Sequence, residues 1–141
     1  MNKREMFKTL CKSSREEVIE IAGAIKKNHH VVMVKKPSKT LIMLKMQEPV
    51  AKAEFFLGEL LACEAMVKLA DARGMAVTQG DDFEKVLAMA VVDAAYNAGI
   101  DEIEWIDSRL AGMADKVNAD ERKEFGKSMN SKVEFKIMEG Q

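Results

Sequence analysis

Three acidic side chains sit where a carboxylate could take part in acid–base chemistry: Glu59, Glu64 and Asp93. Glu59 and Glu64 belong to an apolar run that begins at Phe55. On an unbroken strand their odd spacing of five sets the two carboxylates on opposite faces. A bulge or bend at Leu61-Ala62 would bring them together. Buried as a pair, one would hold a raised pKa and could serve as a general acid. Otherwise each is a solvated or ion-paired strand residue. Asp93 falls about 280° around a helix from Phe83, at the edge of the apolar stripe. A carboxylate there forms a structural hydrogen bond, faces a subunit surface, or does chemistry directly.

A further polar position, Gln79, opens a strand-to-helix corner, Gln79-Gly80-Asp81-Asp82. Free N–H groups from Asp82 to Glu84 could meet an anion. Asp81 and Asp82 already occupy that positive end, which reads as a self-capped helix. Other chemistries find little footing. His29 and His30 are the only histidines, and as strand neighbours they point to opposite faces, so no metal site is expected. Cys11 and Cys63 lie far apart and read as small, reduced core residues. There is no Ser-His-Asp order, no GxGxxG and no Gly-x-x-x-x-Gly-Lys to wrap nucleotide phosphates.

These residues need elements to hold them. Met6, Phe7, Leu10 and Cys11 share one face of a first helix over residues 3–12. Ser14 and Glu17 form a capping box for a second helix, with Val18, Ile21, Ala22 and Ile25 turned inward. Lys26-Lys27-Asn28 suits its C-terminal end. Val31–Val34 and Thr40–Met46 read as two strands joined by a turn at Pro37-Ser38-Lys39. A third strand alternates from Phe55 to Leu69, turns at Asp71-Ala72-Arg73-Gly74, and returns as a fourth over Met75–Gln79. A helix capped by Asp81 and Glu84 carries Phe83, Val86, Leu87, Ala90 and Ala94, and ends at Asn97-Ala98-Gly99. Another, from Asp101 to Lys127, presents Ile103, Ile106, Leu110, Met113 and Val117 and is expected to break at Asn118-Ala119-Asp120. Val133, Phe135 and Ile137 then alternate as a terminal strand. The order predicts an α+β fold, with an antiparallel sheet of about five strands, an N-terminal helical hairpin and C-terminal helices packed on the sheet.

Composition bounds the rest. The chain has 141 residues, which predicts a single domain over 1–141. Its 22 basic and 23 acidic residues leave a net charge of −1, without the basic excess of a nucleic-acid binder. No run of about 18 apolar residues is present, and Lys8 and Lys12 interrupt the start, so neither a membrane span nor a signal peptide is expected. These readings predict a cytoplasmic protein. Its 11 methionines fall mostly in apolar patterns and read as core, with some suited to an adaptable partner surface.

Several segments together carry a resemblance. They are Glu54-Phe55-Phe56-Leu57-Gly58-Glu59, Cys63-Glu64-Ala65-Met66-Val67, Gly74, Gln79-Gly80-Asp81 and Ala90-Val91-Val92-Asp93-Ala94-Ala95. The opening Arg4–Ser13 and the tail Val133–Met138 also fit. In their order and spacing they resemble the G subunit of the bacterial carbon–phosphorus lyase system, the PhnG family. Cys63 stands where many members carry Thr, and residues 98–130 are less similar.

The resemblance implies an accessory or assembly subunit that binds no cofactor itself. It implies partners in the H, I, J and L proteins, with the nucleosidase chemistry carried by the I subunit. The complex converts ATP and an alkylphosphonate such as methylphosphonate to α-D-ribose 1-methylphosphonate 5-triphosphate, releasing adenine. ATP is thus the implied substrate of the complex. Displacing adenine needs leaving-group protonation and stabilisation of oxocarbenium-like charge, tasks that carboxylates suit. Glu59, Glu64, Gln79 and Asp93 are the polar positions on which such a contribution would fall. Homo-oligomer formation by the isolated chain stays open. The competing readings are a stand-alone small-ligand binding domain and a purely structural interaction module.

Overall fold

The computed structural model describes the backbone of residues 2–139 and the side chains of residues 2–126. In chain order the elements are α1 (Lys3–Lys12), α2 (Arg15–Asn28), β1 (Val31–Gln47), β2 (Glu54–Leu69), β3 (Ala72–Gln79), α3 (Phe83–Ala98) and α4 (Ile103–Glu139). They fall into two compact units. The central unit is Ser14–Glu104; the flanking unit combines the segment up to Ser13 with the segment from Trp105 onward. The two helices expected to form an N-terminal hairpin therefore belong to different units.

The fold is α+β, but the sheet has three antiparallel strands in the order β1-β2-β3, not about five. Two sequence signals account for the difference. Pro37-Ser38-Lys39 does not turn the chain: β1 runs through it, and the register with β2 shifts between Met33 and Lys35 and between Lys35 and Ser38. An edge strand tolerates proline because the missing N–H faces no neighbour, and irregular pairing absorbs the rest. At the other end, Val133–Met138 continues α4 instead of forming a strand. A six-residue alternation is a weak signal when no proline and no sheet edge intervenes to stop a helix already running. The same helix passes unbroken through Asn118-Ala119-Asp120, because these residues are only mildly unfavourable inside a helix.

In the central unit, α2 begins as read. Ser14 Oγ accepts the Glu17 N–H at 3.3 Å, and Val18, Ile21, Ala22 and Ile25 are buried. Its exit differs, since Asn28 remains helical and His29 caps the end in an extended conformation. β2 and β3 are joined by the two residues Ala70-Asp71, with Ala70 at φ 52°. The turn thus comes earlier than the Asp71–Gly74 expected, and Gly74 lies inside β3. The alternation along β2 is realised at its base: Cys63, Ala65, Val67 and Leu69 are buried, as are Gly74, Ala76 and Thr78 opposite them. α3 lies on that face and buries an unbroken run from Ala88 to Ala95. A helix apolar nearly all round is a core helix, and α3 is one in its middle turns. Gly99, at φ 66°, closes it in the left-handed conformation that favours glycine.

In the flanking unit, Asn2 caps α1 by accepting the Glu5 N–H at 2.8 Å. Met6, Thr9 and Leu10 are buried. Cys11 is exposed, so it is not the core residue expected; Cys63 is. α4 buries Ile106, Leu110, Met113 and Val117 at the spacing predicted. Lys8 and Lys12 of α1 both pair with Glu121 of α4, Lys8 at 3.2 Å. The Lys12 and Lys8 ammonium groups hold the Glu121 carboxyl below the usual carboxylate range.

Candidate functional site

The four polar positions singled out above take different places in the central unit. Glu59 and Glu64 do not converge. The register between Leu44–Lys39 and Gly58–Cys63 is continuous and extends to Ser38 opposite Glu64, without the bulge at Leu61-Ala62 that would unite them. An odd step on a regular strand puts them on opposite faces, roughly 17 Å apart along it. Glu59, opposite Met43, lies on the face that α3 covers further down the strand. Glu64 lies on the open face, half-buried, and pairs with Lys35.

Gln79 is exposed at the end of β3, opposite Ala62. Glu64 faces Val77 in the same ladder. Glu64 and Gln79 are therefore diagonal neighbours on one face, a spacing of roughly 7–8 Å. The structure thus brings Lys35, Glu64 and Gln79 to one polar patch on the open side of the sheet. A lysine–carboxylate pair there can orient a polar ligand or a partner side chain.

Asp93 lies on the opposite side of the sheet, 8% exposed in α3. Its Oδ2 accepts the Met75 backbone N–H at 3.0 Å and the Asn97 side-chain N–H at 3.5 Å. Asn97 also donates to the Arg73 carbonyl at 2.6 Å. Both contacts land on the stretch of β3 beside Gly74, where the helix approaches closest. These bonds fasten α3 to β3 beside Gly74, which has no side chain to pack against the helix. That is the structural hydrogen bond among the three roles open to Asp93.

Two charge clusters escaped the sequence. Arg15, at the start of α2, donates to Asp82 Oδ2 at 2.9 Å and to Glu84 Oε2 at 2.9 Å. Asp82, not Asp81, caps α3, accepting the Lys85 N–H at 3.1 Å. The Arg15 guanidinium is the main reason the Asp82 carboxyl sits low, and the two carboxylates push the guanidinium pKa up in return. So the positive end of α3 is filled by Asp82, which Arg15 neutralises in turn. Near the other end of the unit, His29 Nε2 and Glu102 Oε2 lie 2.8 Å apart. Residues 67 and 73 apart in sequence leave no local pattern to read. Cys63 Sγ contacts the Asp82 carbonyl at 3.7 Å, and burial pushes its thiol up, so it stays a protonated core group.

The Glu102 contact predicts an acid response. The His29 hydrogen bond holds the Glu102 carboxyl below its usual 4.5. A depressed folded pKa stabilises above the ordinary value, and that contribution disappears as pH falls through the folded one. Glu102→Gln is expected to flatten this part of the acid limb. Melting temperatures of both proteins from about pH 6 to about pH 3 should converge as the pH drops.

Among the described residues no group of three or more His, Cys, Asp or Glu could hold a metal ion. No described helix is long and apolar enough to cross a membrane. The four polar positions do not meet in one catalytic cleft. No curated protein matches the chain. A family model does: that of the phosphonate metabolism protein PhnG, over residues 1–140. With essentially its whole length matched, the chain belongs to the PhnG family of phosphonate metabolism proteins.

Proposed function

We propose that this chain is an accessory or assembly subunit of the carbon–phosphorus lyase core complex. In that role it supports formation of α-D-ribose 1-methylphosphonate 5-triphosphate from ATP and methylphosphonate, with release of adenine. The observation that carries the reading is a family match to phosphonate metabolism across residues 1–140, in a chain whose acidic candidates are dispersed. Leaving-group protonation and oxocarbenium stabilisation need groups converging on one anomeric carbon. Glu59 and Glu64 face opposite ways, and Asp93 is engaged in fastening α3. In this reading the reacting groups belong to partner chains, the H, I, J and L proteins, and this subunit shapes or holds them. The open-face patch of Lys35, Glu64 and Gln79 is then a contact, not an acid–base pair.

The test is reconstitution from purified subunits, with adenine release and the ribosyl product followed by chromatography. Omitting this chain is expected to abolish or strongly reduce product, and adding it back to restore it. Full turnover without it would overturn the reading.

A further inference from the structure

β1 and β2 continue well past the part of the sheet that α3 covers. The base of β2 buries Ala62, Cys63, Ala65, Val67 and Leu69, whereas no residue from Glu54 to Leu61 is buried. This distal arm is nonetheless apolar. Leu41, Met43, Phe55, Phe56, Leu57 and Leu61 are each between 43% and 58% exposed. A two-stranded ribbon is at best marginal in water, and a wet strand face is ordinarily polar. One edge of the arm is also open. β3 pairs with β2 only as far as Ala62, and the Gly80 N–H reaches the Leu61 carbonyl at 3.0 Å. From Leu60 back to Glu54 that edge of β2 has no neighbouring strand among the described residues.

We infer that this arm docks a different protein chain, which adds an extended apolar segment along the free edge of β2 and brings a lysine or arginine to Glu59. The inference rests on the reading of this protein as a subunit of a larger enzyme.

Charge selects the partner. Glu59 sits opposite Met43, with Leu41 and Leu61 on the same face, and has no partner among the described residues. Any chain that covers this face takes the carboxylate out of water, which is unfavourable unless a cation meets it. The unpaired edge supplies backbone hydrogen bonds to an added strand, and alternate side chains supply selectivity. At half exposure a phenylalanine leaves on the order of 100 Å². The arm's apolar side chains thus provide most of the roughly 800 Å² that one side of a standard interface contributes. A second copy joined to the same edge would bring its own Glu54–Leu61 segment there, which holds no lysine or arginine to meet Glu59.

The experiment co-expresses the full chain with the H, I and J proteins of the same system. Association is measured by size-exclusion chromatography with light scattering and by titration. Leu57→Arg and Glu59→Lys are each expected to weaken association about 30-fold or more, with the melting temperature of the free chain unchanged. Glu59→Gln, which removes only an exposed charge, decides the matter if Leu57→Arg melts early, and it should weaken association about tenfold. Unaltered association in all three variants overturns the inference and leaves the subunit reading standing. A wild-type chain that associates with none of the three proteins overturns both. A wild-type homodimer that the arm variants dissolve puts a second copy on the arm and overturns the inference alone.

Discussion

Gly74→Ala is expected to destabilise the central unit more than alanine at any other of its glycines. A Cβ at Gly74 would lie 2.7 Å from the Ala94 Cα and closer still to the Ala90 carbonyl oxygen and the Ala94 nitrogen. These are backbone atoms of a buried helix, so no side-chain rotation relieves the clash. Relief requires α3 to move off β3, which stretches the Asp93 and Asn97 bonds to the strand. Overpacking in a well-filled core costs about 1–3 kcal/mol and more where the neighbour cannot give. The backbone contact places this substitution at the upper end, about 3 kcal/mol or beyond. Urea unfolding should show a lower midpoint, with an unchanged slope if the two-state description holds. Gly23→Ala is the matched control, because a Cβ there meets nothing within 4 Å. It lies inside α2, where replacing glycine by alanine stabilises by up to about 1 kcal/mol. A Gly74→Ala protein as stable as wild type would mean that α3 is not seated on β3 at this distance.

Asp93→Ala is expected to cost about 2–3 kcal/mol. The carboxylate accepts the Met75 N–H and an Asn97 side-chain N–H from an almost fully buried position. Truncation leaves the Met75 donor without its acceptor and opens a small void. Asp93→Asn keeps an oxygen acceptor at the same place and should cost about 1 kcal/mol, through the lost charge assistance. The order wild type, Asn, Ala in unfolding free energy is the signature of a fastening bond. In the reconstituted enzyme, Asp93→Asn should then retain turnover, since its fold survives. Abolished turnover with near-native stability would instead assign Asp93 to the chemistry.

Much of the fold was legible because its signals are local. The Ser14–Glu17 box, the inward stripe of α2, the alternation from Cys63 to Leu69 and the Gly99 stop each act within a few residues. Chain-neighbour sterics and capping bonds decide such features wherever the segment ends up. The family resemblance was legible for the same reason, since order and spacing are properties of the chain alone. Strand count was not, because pairing decides it. Pro37 looks like a turn until β2 lies alongside and absorbs it as an edge irregularity, and Val133–Met138 looks like a strand although no partner strand takes it up.

The site shows the same division. The residue types of Glu59, Glu64, Gln79 and Asp93, the odd spacing of the two glutamates and the place of Asp93 at the rim of a stripe belong to the sequence by itself. Only the tertiary structure decided what each of them meets. It kept β2 regular between the glutamates, set Gln79 beside Glu64 through the β2–β3 register, and brought Met75 to Asp93. It also turned Gly74 from a presumed turn residue into the point where α3 touches the sheet. The reason is physical. A backbone period fixes which face a side chain occupies, but contacts across tens of residues depend on the shape of the packed neighbour, which no local pattern encodes.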